Sequence, residues 1–585
     1  MTLCTSLGTL YPANGLTAMP AITVQQPRPC TTPQTFGRMF PSLPAARWNK
    51  ADSSDAASVF IKDGLLLQKL SANIMAEDEA DPTPEGQADD EENDSIDAGY
   101  TYVGQFLDHD ITLDKTSSLT VAVQAEQVVN FRTPLFDLDS MYGSGPLSST
   151  HLYESDSMHL KIGTLLQNSA YANAHDLPRD ANGTALTGDA RNDENVIIAQ
   201  FHSIMLRFHN QVVDDVQLAR PALSPTQVFN EARRIVTLHY QWAILTDFLP
   251  KMIGDAATNA VVQPPAGRPD EGRGRADWHT TLRFYNPCNG MPVEFSHAAY
   301  RFGHSMVRPI YRLNETMPTR LAVFTGFGSG IPDLTGFRPI STNLAIDWKF
   351  FFDIGQTRKI GVPQVAYKMD GSLVHPLSLL PPGSINGLGP IVLSDRNLLR
   401  GLQFGLPSGQ DVARAMGIAP LPNDQILIGK ATGDAADAKK ITDIDPMLAG
   451  KTPLWTYVLA ESLATSYPVR DGKISGELLH PYRLGPVGGR IIAETFVGLI
   501  QNDANSVINA SGFRPNVRYT TTLGKFGFAD IVRVATRSGT ANTPNTNAPN
   551  NRIALPFIQA FAPPLAPRGR GLPPPPQRRR GFERP

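Results

Sequence analysis

Residues 100–114, YTYVGQFLDHDITLD, hold the most informative pattern in the chain. On an α-helix, Gln105, Asp108 and His109 stand at positions i, i+3 and i+4 and share one face. Asp110 is turned by about 100° from His109, so it can serve a different site. A neutral imidazole that faces a pocket is the usual protein base near neutral pH. An isolated histidine is more often an ordinary core or surface group. Whether His109 has a functional role therefore has to be judged from the neighbouring segments.

Residues 131–145, FRTPLFDLDSMYGSG, place oxygen-bearing side chains at alternating positions. In an extended loop this alternation directs one threonine and two aspartate side chains to the same side, where a leucine carbonyl can join them. Calcium prefers six to eight hard oxygen ligands, and an aspartate from the preceding segment would add a carboxylate. An ordinary Asx-rich turn fits the same pattern. The candidate calcium ligands are Asp110, Thr133, Leu135, Asp137 and Asp139.

Residues 188–211, GDARNDENVIIAQFHSIMLRFHNQ, run into a predicted amphipathic helix over 196–213. Arg191 and Glu194 stand at i, i+3 at the start of this helix. Taken alone, the pair also fits an N-terminal salt bridge with a first-turn acid.

Three motifs in this order resemble the animal haem peroxidases of the peroxidase–cyclooxygenase superfamily, with the chain as a bacterial-type member. They are GQFLDHD, the T-x-L-x-D-x-D loop followed by MYGS, and GD-x-R-x-x-E leading to LRFHN. The resemblance covers about residues 36–416. It implies haem b as cofactor and a mainly α fold, a single large helical domain with long loops and little β-structure.

The resemblance also implies a proximal iron ligand on a later helix. Residues 297–313, HAAYRFGHSMVRPIYRL, match the family pattern R-x-G-H with His304 as the ligand. The stretch RNLLRGLQFGLPSG nominates Asn397 as the acceptor for the other ring N–H of that histidine. Arg301 and Arg400 are the implied partners of the haem propionates.

On the distal side the resemblance assigns the peroxide chemistry to three side chains. His109 acts as general base and then general acid, Arg191 stabilises the charge that develops as the O–O bond breaks, and Gln105 positions water or an anionic substrate. Asp108 and Glu194 occupy the positions that form ester bonds to haem methyl carbons. Asn195 follows where some members have a methionine that bonds through sulfur, so no sulfonium link is expected.

The resulting hypothesis is a peroxidase that uses hydrogen peroxide to oxidise a small anionic or aromatic reductant, such as a halide, thiocyanate or a phenol, as in a response to oxidative stress. The first alternative is a fatty-acid dioxygenase of the same superfamily. Those enzymes use a tyrosine three residues before the proximal histidine, where this chain has Arg301; Tyr300 is one residue earlier. The second alternative is a binding protein that keeps the fold without catalysis.

Composition limits the remaining options. The chain has 585 residues, a net charge of −3 and 41% hydrophobic residues, which indicates a globular protein without a general attraction to nucleic acid. No run of ~20 apolar residues predicts a membrane span. The N-terminus lacks a signal-peptide pattern, so a cytoplasmic protein or leaderless secretion is expected. The three cysteines, Cys4, Cys30 and Cys288, fit no disulfide framework, so we expect a fold without disulfides and a monomer.

Three regions are predicted along the chain. Residues 1–48 form an extended arm, 49–540 the haem peroxidase domain with an acidic, solvated loop at 77–97, and 541–585 a disordered tail rich in proline and arginine. Helical periodicity further predicts helices over the ranges 227–248, 410–416, 454–467 and 488–503.

Overall fold

The computed structural model describes residues 30, 32–49, 56–75, 90–166, 174–265, 277–317, 319–326, 328–385, 389–432, 434, 436–479, 481–521 and 525–536. The tail at 541–585, most of the arm at 1–29 and the larger part of the acidic segment lie outside these residues. The described residues are mainly helical, which confirms the predicted fold class. The longer helices are α1 (Ala56–Ile74), α2 (Gly99–Ile111), α3 (Val196–Ala219), α4 (Pro225–Ala243), α5 (Leu393–Gln403), α6 (Gly409–Ala415), α7 (Leu454–Ser466), α8 (Pro486–Asn502) and α9 (Phe528–Ala535).

Short helical segments join these helices, and some of them carry candidate site residues. A 3₁₀ turn, Ala190–Asp193, precedes α3, and a 3₁₀ turn, Ala299–His304, follows a short helix at Val293–Ser296. A π-helical turn, Ile244–Phe248, extends α4. Further short α-helices are Asp139–Tyr142, Leu249–Ile253, Asp255–Asn259, Pro382–Ile385 and Ile441–Ile444.

The strands are short and form only two-stranded ladders among the described residues. β1 and β7 pair in parallel, whereas β2–β10, β3–β4, β5–β6, β8–β9, β11–β12 and β13–β14 are antiparallel. The strands are β1 (Phe36–Gly37), β2 (Glu92–Asp97), β3 (Leu165–Leu166), β4 (Ala174–His175), β5 (Val262–Gln263), β6 (His279–Thr280), β7 (Met291–Pro292), β8 (Ile310–Tyr311), β9 (Leu321–Ala322), β10 (Val365–Tyr367), β11 (Leu427–Gly429), β12 (Ala438–Lys440), β13 (Val469–Arg470) and β14 (Lys473–Ile474).

Helix α2 is largely buried and carries Gln105, Asp108 and His109. It packs against α3 on one side and against the turn that carries His304 on another. Its remaining residues are almost all buried, and the half-exposed side chains belong to Gln105 and Asp108. Gln105, Asp108 and His109 therefore share a face of α2, on which Gln105 and Asp108 are the more exposed side chains.

The acidic segment is not a solvated loop at its C-terminal end, where the prediction is wrong. Glu92–Asp97 forms strand β2, which pairs with β10. Arg308 compensates the charge, since its Nη1 lies 2.6 Å from Glu92 Oε1. Ile96 is fully buried and packs this acidic stretch into the core, which the acidic composition of the stretch does not indicate.

The last part of the predicted N-terminal arm belongs to the core. Phe36, Met39 and Phe40 are buried, and the backbone amides of Met39 and Phe40 donate to the buried carboxylate of Glu294 at 2.9 and 3.0 Å. These contacts hold residues 36–40 against the domain, whereas residues 1–29 of the predicted extended arm lie outside the described residues.

A disulfide joins Cys30 to Cys288, so the expectation of a fold without disulfides is wrong. The two cysteines are 258 residues apart in the chain, and such a pairing has no local spacing signal. The amide of Asn502 on α8 reinforces the junction, since its Nδ2 donates to the Cys30 carbonyl at 2.8 Å. The described residues contain no helix that is long and apolar enough to cross a membrane.

The disulfide predicts one titratable thiol in the denatured, unreduced chain, from Cys4, and three after reduction. Removing the bridge in a Cys30→Ser/Cys288→Ser variant should lower the free energy of unfolding by about 2–5 kcal/mol, because the unfolded chain gains freedom. Thiol titration and urea unfolding measure the two effects, and Cys4→Ser is the control that removes the remaining thiol. Three thiols without reductant would contradict the pairing.

Candidate active site

His109 is buried on α2, and its ring has one direct side-chain partner. Its Nδ1 lies 2.8 Å from Oδ1 of Asn192, which belongs to the 3₁₀ turn before α3. An amide oxygen can only accept, so Nδ1 carries the hydrogen and Nε2 keeps a free lone pair. Burial, assisted by Arg191, lowers the pKa of His109 to about 3. The imidazole is therefore neutral and in the tautomer that a base requires.

Arg191 is held rigidly by Asp189, which is buried. Its Nη2 and Nε lie 2.8 and 3.1 Å from the two carboxylate oxygens, and Nη2 also donates to the Thr112 carbonyl at 2.5 Å. Burial opposes the ionisation of Asp189, but Arg191 outweighs it and holds the pKa of this carboxyl well below its usual range. The pair stays charged and fixed, and Nη1 lies 3.6 Å from Asp108 Oδ2.

Arg191 and Glu194 do not lie in the first turn of the long helix, where the spacing had placed them. Arg191 belongs to the 3₁₀ turn Ala190–Asp193, and the helix begins only at Val196. Asn195 explains the difference, since its Oδ1 caps the helix by accepting from the amides of Ile197 and Ile198. The segment before the cap is thereby free to turn Arg191 towards α2.

Gln105 is tied to the same segment through both ends of its amide. Nε2 donates to Glu194 Oε2 at 2.8 Å, and Oε1 accepts from Asn195 Nδ2 at 3.3 Å. Asn195 therefore caps a helix and orients Gln105, which gives this asparagine two structural tasks. Gln105 is fixed beside Glu194 rather than free.

Arg191 interacts electrostatically with both carboxylates that are expected to form ester bonds, those of Asp108 and Glu194. Burial raises the pKa of each carboxyl, and Arg191 opposes that rise. Asp108 Oδ1 also accepts from the Thr112 hydroxyl at 2.9 Å. The structure therefore brings Asp108, Glu194 and Arg191 together, as predicted.

On the proximal side His304 ends the 3₁₀ turn Ala299–His304, in which residues three apart are eclipsed. Arg301 and His304 accordingly lie on the same side. Burial, together with Arg301, lowers the pKa of His304 to about 3, so the ring is neutral and able to ligate a metal. Trp455 supports the turn, because its Nε1 donates to the Arg301 carbonyl at 3.2 Å.

Asn397 contacts His304 as predicted, but through the other end of its amide. Nδ2 lies 2.9 Å from His304 Nδ1, while Oδ1 accepts from Arg301 Nη1 at 2.7 Å. The predicted arrangement, in which Asn397 accepts from the ring N–H of His304, is not the one in this structure. The reason is that a guanidinium can only donate, so Arg301 takes the amide oxygen.

Positive charges crowd the proximal side. Arg396 and Arg400 both act on the pKa of Arg301, and Arg400 acts on that of Arg396. Burial and then Arg400 lower the pKa of Arg301 to about 10, and the pKa of Arg396 is lowered by the same two causes. Arg400 contacts Asp114, at 3.2 Å, and Ser117 rather than an open pocket. Three crowded guanidinium groups form a site suited to an anionic group such as a pair of carboxylates.

The distal and proximal segments interact electrostatically. Asp108 acts electrostatically on Arg301, and Glu194 acts on Arg396. Acids of the distal segments are thus near enough to influence arginines of the proximal segments, and burial keeps His109 and His304 neutral. This donor set fits a haem, with an imidazole for the iron, carboxylates for the methyl edges and arginines for the propionates.

The predicted cation loop brings three carboxylates together. Oxygens of Asp110, Asp137 and Asp139 lie within 4.8 Å of one another. Burial and the neighbouring carboxylates raise the pKa of Asp110 well above its usual range, and burial and Asp139 raise that of Asp137 to about 7. Mutual repulsion of this kind is what a bound cation would relieve.

The other two candidate ligands lie in the same loop. The Thr133 hydroxyl is 3.1 Å from Asp139 Oδ2, and the Thr133 carbonyl accepts from the Leu135 amide at 2.7 Å. Thr133 is therefore at the cluster, whereas the structure gives Leu135 only this backbone contact.

Sequence reasoning missed Asn192 and Asp189. Both flank Arg191 in the GDARNDEN run, and that adjacency is the one signal that could have pointed to them. Their roles depend on the 3₁₀ turn, which a helical reading of the run does not provide.

A sequence model described as animal haem peroxidase matches residues 113–325, a range that includes Arg191, Glu194 and His304. Thyroid peroxidase of Mus musculus is 27% identical over 365 residues, which are 58% of this chain and 36% of that protein. Peroxidasin of Drosophila melanogaster is 26% identical over 217 residues, 34% of this chain and 13% of that protein. The chain thus spans about a third or less of the length of these relatives.

Peroxidase A of Dictyostelium discoideum has a similar fold, with a TM-score of 0.52, 16% sequence identity, and coverage of 80% of this chain and 88% of that one. The sequence match and these relatives show that the chain resembles the animal haem peroxidases over residues 113–325, and its fold is similar to that of a peroxidase.

Proposed function

We propose that the protein is a haem peroxidase that reduces hydrogen peroxide and oxidises a small anionic or aromatic donor. The match to the animal haem peroxidase model and the peroxidase relatives support haem binding and a peroxidase-type oxidoreductase. The observation that carries the finer proposal is the His109–Asn192 pair beside a charged, immobilised Arg191. This is a base and a cation fixed at one site, which is what heterolysis of an O–O bond requires.

Bound haem would supply the iron and the redox equivalents. His304 would hold the iron, Arg301 with Arg400 the propionates, and Asp108 and Glu194 are the candidates for ester bonds. Arg301 would have to release Asn397 to reach a propionate. The amide of Asn397 could then turn its oxygen to His304 Nδ1, which restores the acceptor role that the ligand needs.

His109 would move the proton. Its free Nε2 would take the proton from one peroxide oxygen and return it to the departing one, so the leaving group is water rather than hydroxide. Arg191 would stabilise the negative charge on the departing oxygen, and its contact with Asp189 keeps it from reorganising as that charge develops. Gln105, fixed by Glu194 and Asn195, would line the pocket and order a water or an anion there.

The Asp110–Asp137–Asp139 cluster would bind calcium in a structural role. Asp110 follows His109 directly and accepts from the Leu138 amide and the Tyr240 hydroxyl, each at 3.2 Å. A cation held by Asp110 would therefore fix the end of α2 that carries the base.

Two features argue against the alternative hypothesis of a fatty-acid dioxygenase. The position three residues before His304 is Arg301, which binds Asn397. The adjacent Tyr300 is buried against Phe295, and its hydroxyl donates to the Gly104 carbonyl at 3.2 Å. Its hydroxyl is thus committed to the α2 backbone.

The two histidines should separate haem binding from peroxide chemistry. We expect His304→Ala to lose the normal haem absorption spectrum. His109→Ala should keep haem but react with peroxide about 10²–10⁴-fold more slowly, because the proton transfer loses its base. Absorption spectra and stopped-flow rates measure both effects, with exposed His151→Ala as the control. A normal spectrum in His304→Ala would sink the ligand assignment.

Asn192 should matter through the orientation of His109. Asn192→Ala removes the acceptor for Nδ1–H, and we expect the rate of reaction with peroxide to fall about 10- to 100-fold at unchanged haem content. Asn192→Asp keeps an acceptor in place and should retain most of the rate. If Asn192→Ala reacts at the wild-type rate, Asn192 does not orient the base.

Calcium should stabilise the folded protein. Removal of divalent cations should lower the thermal midpoint, and calcium at 100 times its dissociation constant should restore about 2.7 kcal/mol. The Asp137→Asn/Asp139→Asn variant should show no response to calcium. Scanning calorimetry measures this, and an equal response in wild type and variant would place the bound cation elsewhere.

A further inference from the structure

Arg132 lies between the cation loop and the distal arginine. Its Nη1 is 3.2 Å from Asp139 Oδ1, and its Nε is 3.3 Å from Asp189 Oδ2. Its Nη2 donates to the Gly188 carbonyl at 3.1 Å. One largely buried guanidinium therefore touches a carboxylate of the cation cluster and the carboxylate that holds Arg191.

The backbone around these contacts is tightly packed, so the bridge has little room to shift. A Cβ atom on Gly188 would lie 2.6 Å from the Ser140 carbonyl oxygen and 2.7 Å from that of Asp139. The segment that carries Asp189 is thus pressed directly against the cation loop. Asp139 Oδ2 is in turn occupied by the amide and hydroxyl of Thr133, at 3.0 and 3.1 Å.

We propose that Arg132 is a positioning residue that couples the cation loop to Arg191 through Asp189. The inference rests on the proposed function only in that the three-aspartate cluster binds a divalent cation. Arg132 is shared between Asp139 and Asp189, and a cation competes with it for Asp139. Cation binding therefore shifts the guanidinium towards Asp189 and changes how firmly Asp189 holds Arg191.

The coupling has to be reciprocal, because two equilibria that share one group affect each other equally. A change at Asp189 must alter the affinity of the cation loop, and it must do so through Arg132. Simple electrostatics predicts something different. A charge removed at Asp189 would weaken cation binding by the same factor whether or not Arg132 is present.

Titration calorimetry of the haem-loaded protein with calcium distinguishes coupling through Arg132 from simple electrostatics. We expect Arg132→Met to tighten calcium binding about tenfold, because the competing cation is gone. Asp189→Asn should weaken it about tenfold in the wild-type background and less than threefold in the Arg132→Met background. Arg132→Lys keeps the charge but cannot reach both acids, and it should also lose the effect of Asp189→Asn.

Arg490→Met is the matched control, since Arg490 forms a comparably buried pair with Glu494, at 2.6 Å, on α8. It should leave the calcium affinity unchanged. If Asp189→Asn does not fold, Arg191→Met perturbs the other side of Asp189. It should then tighten calcium binding about threefold or more with Arg132 present and less than twofold without it.

Equal effects of the second substitution in both backgrounds would overturn the coupling, and so would a calcium affinity unaffected by Arg132→Met. Absence of calcium binding in the wild type would overturn it together with the cation site. The peroxidase proposal is tested separately by the rate of reaction with peroxide, so its failure would leave the calorimetric result interpretable.

Discussion

The rest of the site depends on the ion pair between the buried carboxylate of Asp189 and Arg191. The carboxylate accepts from the Arg191 amide at 2.9 Å, which stabilises the 3₁₀ turn before α3, and it binds the Arg191 guanidinium with both oxygens. A buried acid without such partners would protonate, so the ion pair and the turn require each other. That turn also presents Asn192 to His109. One acid therefore sets the position of Arg191 and, through the turn, the tautomer of His109.

On the proximal side, Arg301 and the ring N–H of His304 are donors that compete for one acceptor, the amide oxygen of Asn397. Arg301 binds the amide oxygen of Asn397, and the amide nitrogen is left facing His304. Burial lowers the pKa values of Arg301, Arg396 and Arg400, and repulsion by Arg400 lowers those of Arg301 and Arg396 further. An anionic group between them would relieve this repulsion and release Asn397. The proximal hydrogen bond and the binding of the anionic group are thus linked.

Much of the site could be predicted because its signals are local. The shared face of Gln105, Asp108 and His109 follows from helical periodicity, and Asp137 and Asp139 are two residues apart. The disulfide could not be predicted, since Cys30 and Cys288 are 258 residues apart and meet only in the fold. The acidic residues of β2 indicated a solvated loop because composition does not reveal Arg308, which lies more than 200 residues away in the chain. Asn192 was missed because its role depends on a 3₁₀ turn that ends before the helix begins.

The central claim is that His109 and His304 lie on opposite sides of one haem iron. Anomalous diffraction at the iron edge from crystals of the haem-loaded protein tests it most directly. The account predicts one iron peak bonded to His304 Nε2, with His109 Nε2 on the opposite side and unbonded, and with Arg301 turned from Asn397 towards a propionate. An iron peak bonded to another side chain, or one with His109 and His304 on the same side, would contradict it.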